Sequence, residues 1–242
     1  MHSRILYQKN APYQGFLLKN VNWQSLPPES MSAFANAFED QGLIAPRAWL
    51  EDEDPTRSTR IPVRFGAQVF EAQGMVGLSA REDRISGLNT ILTGGRWFRP
   101  SERLAVLLPQ RMAQTLGISP NQPGDATVSL WGMPFKVVGI FSGRKLKENP
   151  DLDGEPLTPV IFPRELSAQM TEVEIEAMES GDDIRAFQSR YEHIDGNLTV
   201  IIPFQTLISL GGQFKGAAIR PITDRGVHET AQNLVDRFGL SL

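Results

Sequence analysis

His228-Glu229 opens the H-E-x-x-H pattern, in which two histidines one helical turn apart hold zinc and the glutamate activates a water. Its fifth position here is Gln232, so one metal ligand is missing, and the pair reads as solvated residues beside a buried helix stripe. Asn149-Pro150-Asp151-Leu152-Asp153-Gly154 matches the start of a calcium loop, with oxygen-bearing side chains at alternate positions and then glycine. Val160 stands where that loop needs a bidentate glutamate, and proline fills the second position, so the segment reads as a polar turn. The acidic run Glu51 to Asp54 reads as a solvated loop. Arg144, Lys145 and Lys147 form a basic spot too narrow for the many phosphate contacts of nucleic-acid binding. Of the three histidines, only His193 and His228 could serve a Ser-His-Asp site, and neither stands in such a setting. Trp97-Phe98 and Trp131 read as core packing rather than stacking platforms.

The phosphate-cradling G-x-x-x-x-G-K-[ST], the dinucleotide fingerprint G-x-G-x-x-G and the nucleophile elbow G-x-S-x-G are all absent. The expectation is therefore no catalytic residue, no cofactor-binding residue, no metal ligand and no enzyme.

The remaining properties bound the class. The chain has 242 residues, 40% of them apolar, and a net charge of −4. This is a globular composition without general attraction to nucleic acid or anionic lipid. The length is sufficient for one large domain or two modest ones. Cysteine is absent, which excludes disulfides, thiol catalysis and thiolate metal sites without fixing the compartment. No apolar stretch approaches the ~20 residues of a membrane-spanning helix, and the N-terminus lacks the apolar core of a signal peptide. Read literally the chain is soluble and cytoplasmic; it equally reads as a soluble piece of a longer protein.

The elements that would position these residues follow from periodicity and punctuation. Phe16-Leu17-Leu18 reads as a strand. Met31, Phe34, Ala35 and Phe38 mark a helix stopped by Gly42, and Leu43 to Leu50 reads as the next strand. Alternation over Ile61 to Met75 gives a strand or hairpin. Leu104 to Leu108 reads as a buried strand, followed by a short helix that ends at Gly117. Thr127 to Trp131 and Phe135 to Ile140 form a hairpin around Gly132. Asn149 to Pro159 is loop, and Pro163 to Ile194 is helix-leaning. Thr199 to Ile202 is a strand running into a short helix that ends at Gly211-Gly212. Gly216 to Ile222 is a strand. Asp224 then caps a last helix with the stripe Val227, Ala231, Leu234, Val235 and Phe238, stopped by Gly239. The similar strand–helix units at the two ends are expected to share one lobe.

One ordered set of residues carries a resemblance. Gly95-Arg96-Trp97-Phe98 precedes Val106-Leu107-Leu108-Pro109. Leu116-Gly117, Gly124, then Val128-x-Leu130-x-Gly132-x-Pro134 to Ile140 follow, and Ile201-Ile202-Pro203-Phe204 comes later. The set resembles the MacB-like periplasmic core domain of FtsX-family ABC transporter permeases, clearly over 94–142 and loosely over 199–242. The resemblance implies an α+β fold. A discontinuous porter-like α/β lobe would come from 1–95 plus 213–242. A mainly β, sabre-like subdomain with a helical segment, 96–212, would be inserted in it. It implies a non-enzymatic extracytoplasmic domain of an inner-membrane permease, between its first and second membrane helices. Such a domain relays conformational change and contacts substrate or a periplasmic partner. The implied partners are an ATP-binding cassette subunit or domain, the permease membrane helices, a periplasmic adaptor or cargo, and a second copy in a dimeric transporter; nucleic acid is not among them. A freestanding soluble hydrolase or ligand-binding protein without a linear motif is the alternative. On the first reading the polar segments 143–159 and 171–195 are the expected contact surface.

Overall fold

Ala105–Pro109, a strand in which all five residues are buried, lies in the middle of one large sheet. The computed structural model describes residues 3–8, 12–20, 23–27, 31–32, 35–36, 42–121, 123–163 and 191–221. The last helix expected from Asp224, the pair His228-Glu229 and the segment 164–190 lie outside the described residues.

Strands β1 (Ser3–Gln8) and β2 (Gly15–Asn20) pair antiparallel. Met31, Ser32, Ala35 and Asn36 are helical, and β3 (Gly42–Trp49) follows. Pro46 lies inside β3, opposite Ala217 of β14 and one residue before pairing with β6 begins at Arg47. β4 (Ile61–Phe65) and β5 (Gln68–Ala72) form the expected hairpin, followed by β6 (Gly74–Leu78). The short β7 (Leu92–Gly95) precedes β8 (Ala105–Pro109) and the helix Gln110–Leu116, which ends at Gly117 in the left-handed region as expected. β9 (Thr127–Leu130) and β10 (Met133–Phe141) are the expected hairpin. A helix Gly143–Glu148 comes next, N-capped by the Ser142 hydroxyl. β11 (Val160–Ile161) and β12 (Glu192–His193) form a separate two-stranded ribbon. β13 (Thr199–Pro203) runs into the helix Phe204–Ser209, and β14 (Gln213–Pro221) closes the described chain.

Twelve strands make the large sheet, in the order β1-β2-β14-β3-β6-β13-β8-β10-β9-β4-β5, with β7 on β10. The fold is α+β, with few helices. β14 lies between β2 and β3, so strands from the two ends of the described chain are neighbours. The hairpin β4–β5 joins the opposite end of the sheet, through β9.

The middle of the sheet is buried on both faces, which is why its strands are continuously apolar rather than alternating. Val106, Leu108, Val200 and Ile202 face one core, with Phe135, Val137 and Met112; Ala105, Leu107 and Ile201 face the other, with Trp49, Val76 and Phe141. A third cluster sits on β2, β14 and β3, where Leu17, Ala45 and Ala218 meet Leu152 from the loop after β10. Gly139 lies opposite Gly95, and a Cβ there would be 2.7 Å from the Arg96 carbonyl oxygen, so close strand approach requires the glycine.

Candidate functional site

Register places Lys19 on β2, Gly216 on β14 and Arg47 on β3 in one row across three strands. Two cations thus stand side by side on one sheet face with only a glycine between them. The segment 151–158 lies across this row. Asp151, Asp153 and Glu155 stand on a tight turn, closed by the Gly154 N–H donating to the Asp151 carbonyl at 3.0 Å and the Asp151 N–H donating to the Glu155 carbonyl at 2.8 Å, with Gly154 at φ +83°.

Each carboxylate meets a partner. Asp151 accepts from Arg47 and, at 2.7 Å, from the Tyr13 hydroxyl. Asp153 pairs with Lys19. Glu155 lies 3.0 Å from His193 Nε2. Leu152 and Leu157, between and beyond these acids, are buried in the cores beneath. The segment is therefore a strap, held by ion pairs on alternate residues and seated by leucines.

Arg47 is the centre of the site. Its Nη2 and Nε donate to the two Glu82 oxygens at 2.8 and 3.2 Å, and its third donor, Nη1, goes to Asp151. Arg47, Glu82 and Asp151 are all buried. Burial opposes the guanidinium charge, but Asp151 and Glu82 outweigh it and hold Arg47 protonated well beyond its usual range. Burial, with Asp151 and Glu82 adding to it against Arg47, pushes the Tyr13 hydroxyl well above its ordinary pKa, so it stays a donor.

An aromatic wall closes one end. Trp23, with φ +58°, stacks on Trp49 at 5.3 Å, and Tyr191 and His193 meet Trp23 edge-on at 5.3 and 5.4 Å. The Lys19 ammonium sits 3.5 Å from the Trp23 ring centre, a cation–π contact. Lys215 donates to the Trp23 carbonyl at 2.8 Å and pairs with Glu51 at 2.5 Å. Burial lowers its pKa, opposed by Glu51. His193 Nδ1 lies 3.0 Å from the Thr158 carbonyl and 3.2 Å from its hydroxyl. Burial lowers the His193 pKa, opposed by Thr158 and Glu155.

The space left under the strap is about 40 Å³, lined by Leu17, Trp49, Val76 and Leu157 among others. Substrate pockets run to ~300–1,000 Å³, so this volume suits a few waters and not a substrate. Two further clefts among the described residues, of about 270 and 280 Å³, have no histidine in their linings. Among the described residues no group of three or more His, Cys, Asp or Glu is placed to hold a metal ion. The site is built from charges that satisfy one another.

Several sequence expectations change here. The 149–154 segment is the expected polar turn rather than a calcium loop, but its acids are not solvated, because Asp151 and Asp153 are taken by Arg47, Tyr13 and Lys19. The segment 143–159 is not a free surface loop, since Leu146, Leu152 and Leu157 are buried. Trp131 is not core: it is 43% exposed at the β9–β10 turn, whereas Trp97 and Phe98 are buried as expected. The acidic run is solvated in part, but Glu51 is tied to Lys215. Of the histidines, His193 enters the site. Lys19, Arg47, Glu82 and Tyr13 were not anticipated. Their available signals were an arginine within the apolar run of β3 and the period-two acids 151, 153 and 155.

No known family model matches the sequence, and no curated protein matches it. Solved structures do. The chain is similar to the periplasmic region of MacB from Actinobacillus actinomycetemcomitans, at 13% identity and a TM-score of 0.48, covering 90% of this chain and 76% of that one. It is also similar to the extracellular domain of the noncanonic ABC-type transporter YknZ from Gram-positive bacteria, at 13% identity and a TM-score of 0.47, covering 99% and 95%.

Proposed function

We propose that this chain is the extracytoplasmic domain of an ABC transporter permease of the inner membrane, and that it works without catalysis. The observation that carries the reading is where the resembling residues meet. Gly95 lies opposite Gly139, Leu108 opposite Ile140, and Ile201 opposite Leu107. Residues spread from 95 to 203 thus form one contiguous block of sheet, β7-β10-β8-β13. No helix among the described residues is long and apolar enough to cross a membrane. The membrane helices and the ATP-binding cassette would be supplied by the rest of the assembly. A periplasmic adaptor or cargo and a second permease copy complete the proposed partners.

In this reading 1–95 plus 213–242 form one lobe and 96–212 an inserted one, with the hairpin 61–72 carried by the inserted side through β9. The strap belongs to the inserted segment, while Lys19 and Arg47 belong to the end strands. The fastening therefore couples the two lobes, as a domain that relays motion requires. The chain has no cysteine of its own, which makes the test direct. In the full-length permease, Lys19→Cys with Asp153→Cys is joined by a short bismaleimide. Transport should stop while ATP hydrolysis continues, and each single variant treated alike should still transport. Full transport with the strap cross-linked would remove this coupling from the mechanism.

A further inference from the structure

The β9–β10 turn is made by Trp131 and Gly132, with φ of +49° and +84°. Two-residue turns with both φ values positive favour Asn-Gly or Asp-Gly, and a bulky aromatic is an outlier at the first position. The ring is not buried in compensation: Trp131 is 43% exposed. A side chain that is both strained and solvated points to a role outside folding.

Topology brings two more exposed apolar side chains to the same end of the sheet. Leu104, 50% exposed, immediately precedes β8, which runs parallel to β10 from the same end. Ile208, 37% exposed, is on the helix that follows β13, antiparallel to β8, and Thr206 of that helix donates to the Arg103 carbonyl at 2.6 Å. Three of the four exposed large hydrophobics among the described residues thus lie toward one end of the sheet, here called the rim. Its charge is mainly positive. Arg99, Arg103 and Lys136 are exposed and form no ion pair among the described residues, whereas the neighbouring acid, Glu102, is bound to Arg96. Across 103–147 and 196–223, which build the rim, Asp125 is the one acidic residue.

We propose that this rim docks on an anionic lipid surface. Trp131, Leu104 and Ile208 enter the interface, and Arg99, Arg103 and Lys136 meet lipid phosphates. Tryptophan is suited to the headgroup level because its ring is apolar and its N–H polar. A protein partner would be expected to present a pocket for the ring and acids for the cations. The rim sets three exposed cations beside its exposed apolar side chains, which fits a phosphate-bearing surface with an apolar interior. The chain's overall acidity does not oppose this, because only charges within about a Debye length, ~10 Å, act at the contact.

The test uses the 242-residue chain alone and so is independent of the transporter reading. Co-sedimentation is measured with phosphatidylglycerol/phosphatidylcholine vesicles and with phosphatidylcholine vesicles. Binding should require phosphatidylglycerol, fall with added salt, and shift tryptophan emission to the blue. Arg103→Glu with Lys136→Glu should weaken it by at least about tenfold, since each surface cation contributes roughly fivefold. Trp131→Asn supplies the favoured turn residue, so it should raise the thermal midpoint while abolishing the emission shift and most of the binding. No phosphatidylglycerol-dependent binding at low salt would overturn the proposal, as would undiminished binding by Trp131→Asn. A Trp131 that serves a protein partner gives the first of those results.

Discussion

The Arg47 guanidinium and the Asp151 carboxylate, 104 residues apart in the chain, form a buried ion pair that fixes the strap to strand β3. Arg47 also holds Glu82 with two hydrogen bonds, so one cation neutralises two carboxylates from different parts of the chain. A buried cluster of this kind contributes little net stability compared with an apolar replacement, but removing one member leaves charge uncompensated. Its effect is geometric: β3, the helix Glu82–Ile85 and the strap can only pack in one relation.

Arg47→Met should therefore be far more damaging than its loss of contacts suggests. Glu82 and Asp151 would face each other, buried, without a counter-charge. The expected loss is about 3–5 kcal/mol in urea unfolding. Adding Glu82→Leu and Asp151→Leu should recover a large part of it. A loss under about 1 kcal/mol for Arg47→Met alone would show that water reaches the cluster.

His193 should make stability depend on pH. Burial depresses its pKa in the folded chain, so the unfolded chain binds the proton more readily. The contribution is fully present above the unfolded value of about 6.5 and is lost as pH falls through the lower folded value. Over that window the slope should reach at most about 1.4 kcal/mol per pH unit. Subtracting the curve of His193→Gln isolates it from His2 and His228. A difference curve that is flat from pH 7.5 to 5 would mean that Glu155 and Thr158 fully offset burial.

The sheet was largely legible before the structure because its central strands are unbroken apolar runs and its turns are marked by glycine. Val106 to Leu108, the Gly117 stop and the hairpin around Gly132 are all where the pattern puts them. What the pattern could not show is order across the sheet. Nothing local in Gly216 to Ile222 says that it inserts between β2 and β3, since its pairing partners there lie 169 or more residues away. The strap was hidden for a related reason. Asp151 and Asp153 look solvated until Arg47 and Lys19, which are remote in sequence, are brought beneath them. Trp131 misled because aromatic type signals burial, whereas its place at a turn is set by backbone geometry.

Phe135, fully buried in the larger core, should tolerate truncation poorly. Phe135→Ala removes the ring from among Val63, Val128 and Val137 and leaves a cavity, at a cost of about 3–5 kcal/mol. Chemical denaturation with an unchanged m-value would confirm a pure stability effect; a cost below about 1 kcal/mol would place the ring outside the core.

Gly216 tests whether the row beneath the strap is as tight as its geometry implies. It lies between Lys19 and Arg47, and a Cβ built on it would sit 2.3 Å from the Leu18 carbonyl oxygen. That oxygen belongs to the backbone of β2, so it cannot swing aside as a side-chain tip could. Gly216→Ala must push β2 away from β14, which also carries Lys19 away from Asp153. The expected cost is about 1–3 kcal/mol, the usual range for an over-packed core position. Amide exchange should quicken at Leu17, Leu18 and Ala217, which span the β2–β14 seam, while Val106 and Ile201 in the central strands stay protected. Equal protection at both places, with no change in the thermal midpoint, would show that the seam has slack, and that the strap's ion pairs rather than close strand packing set the spacing of Lys19 and Arg47.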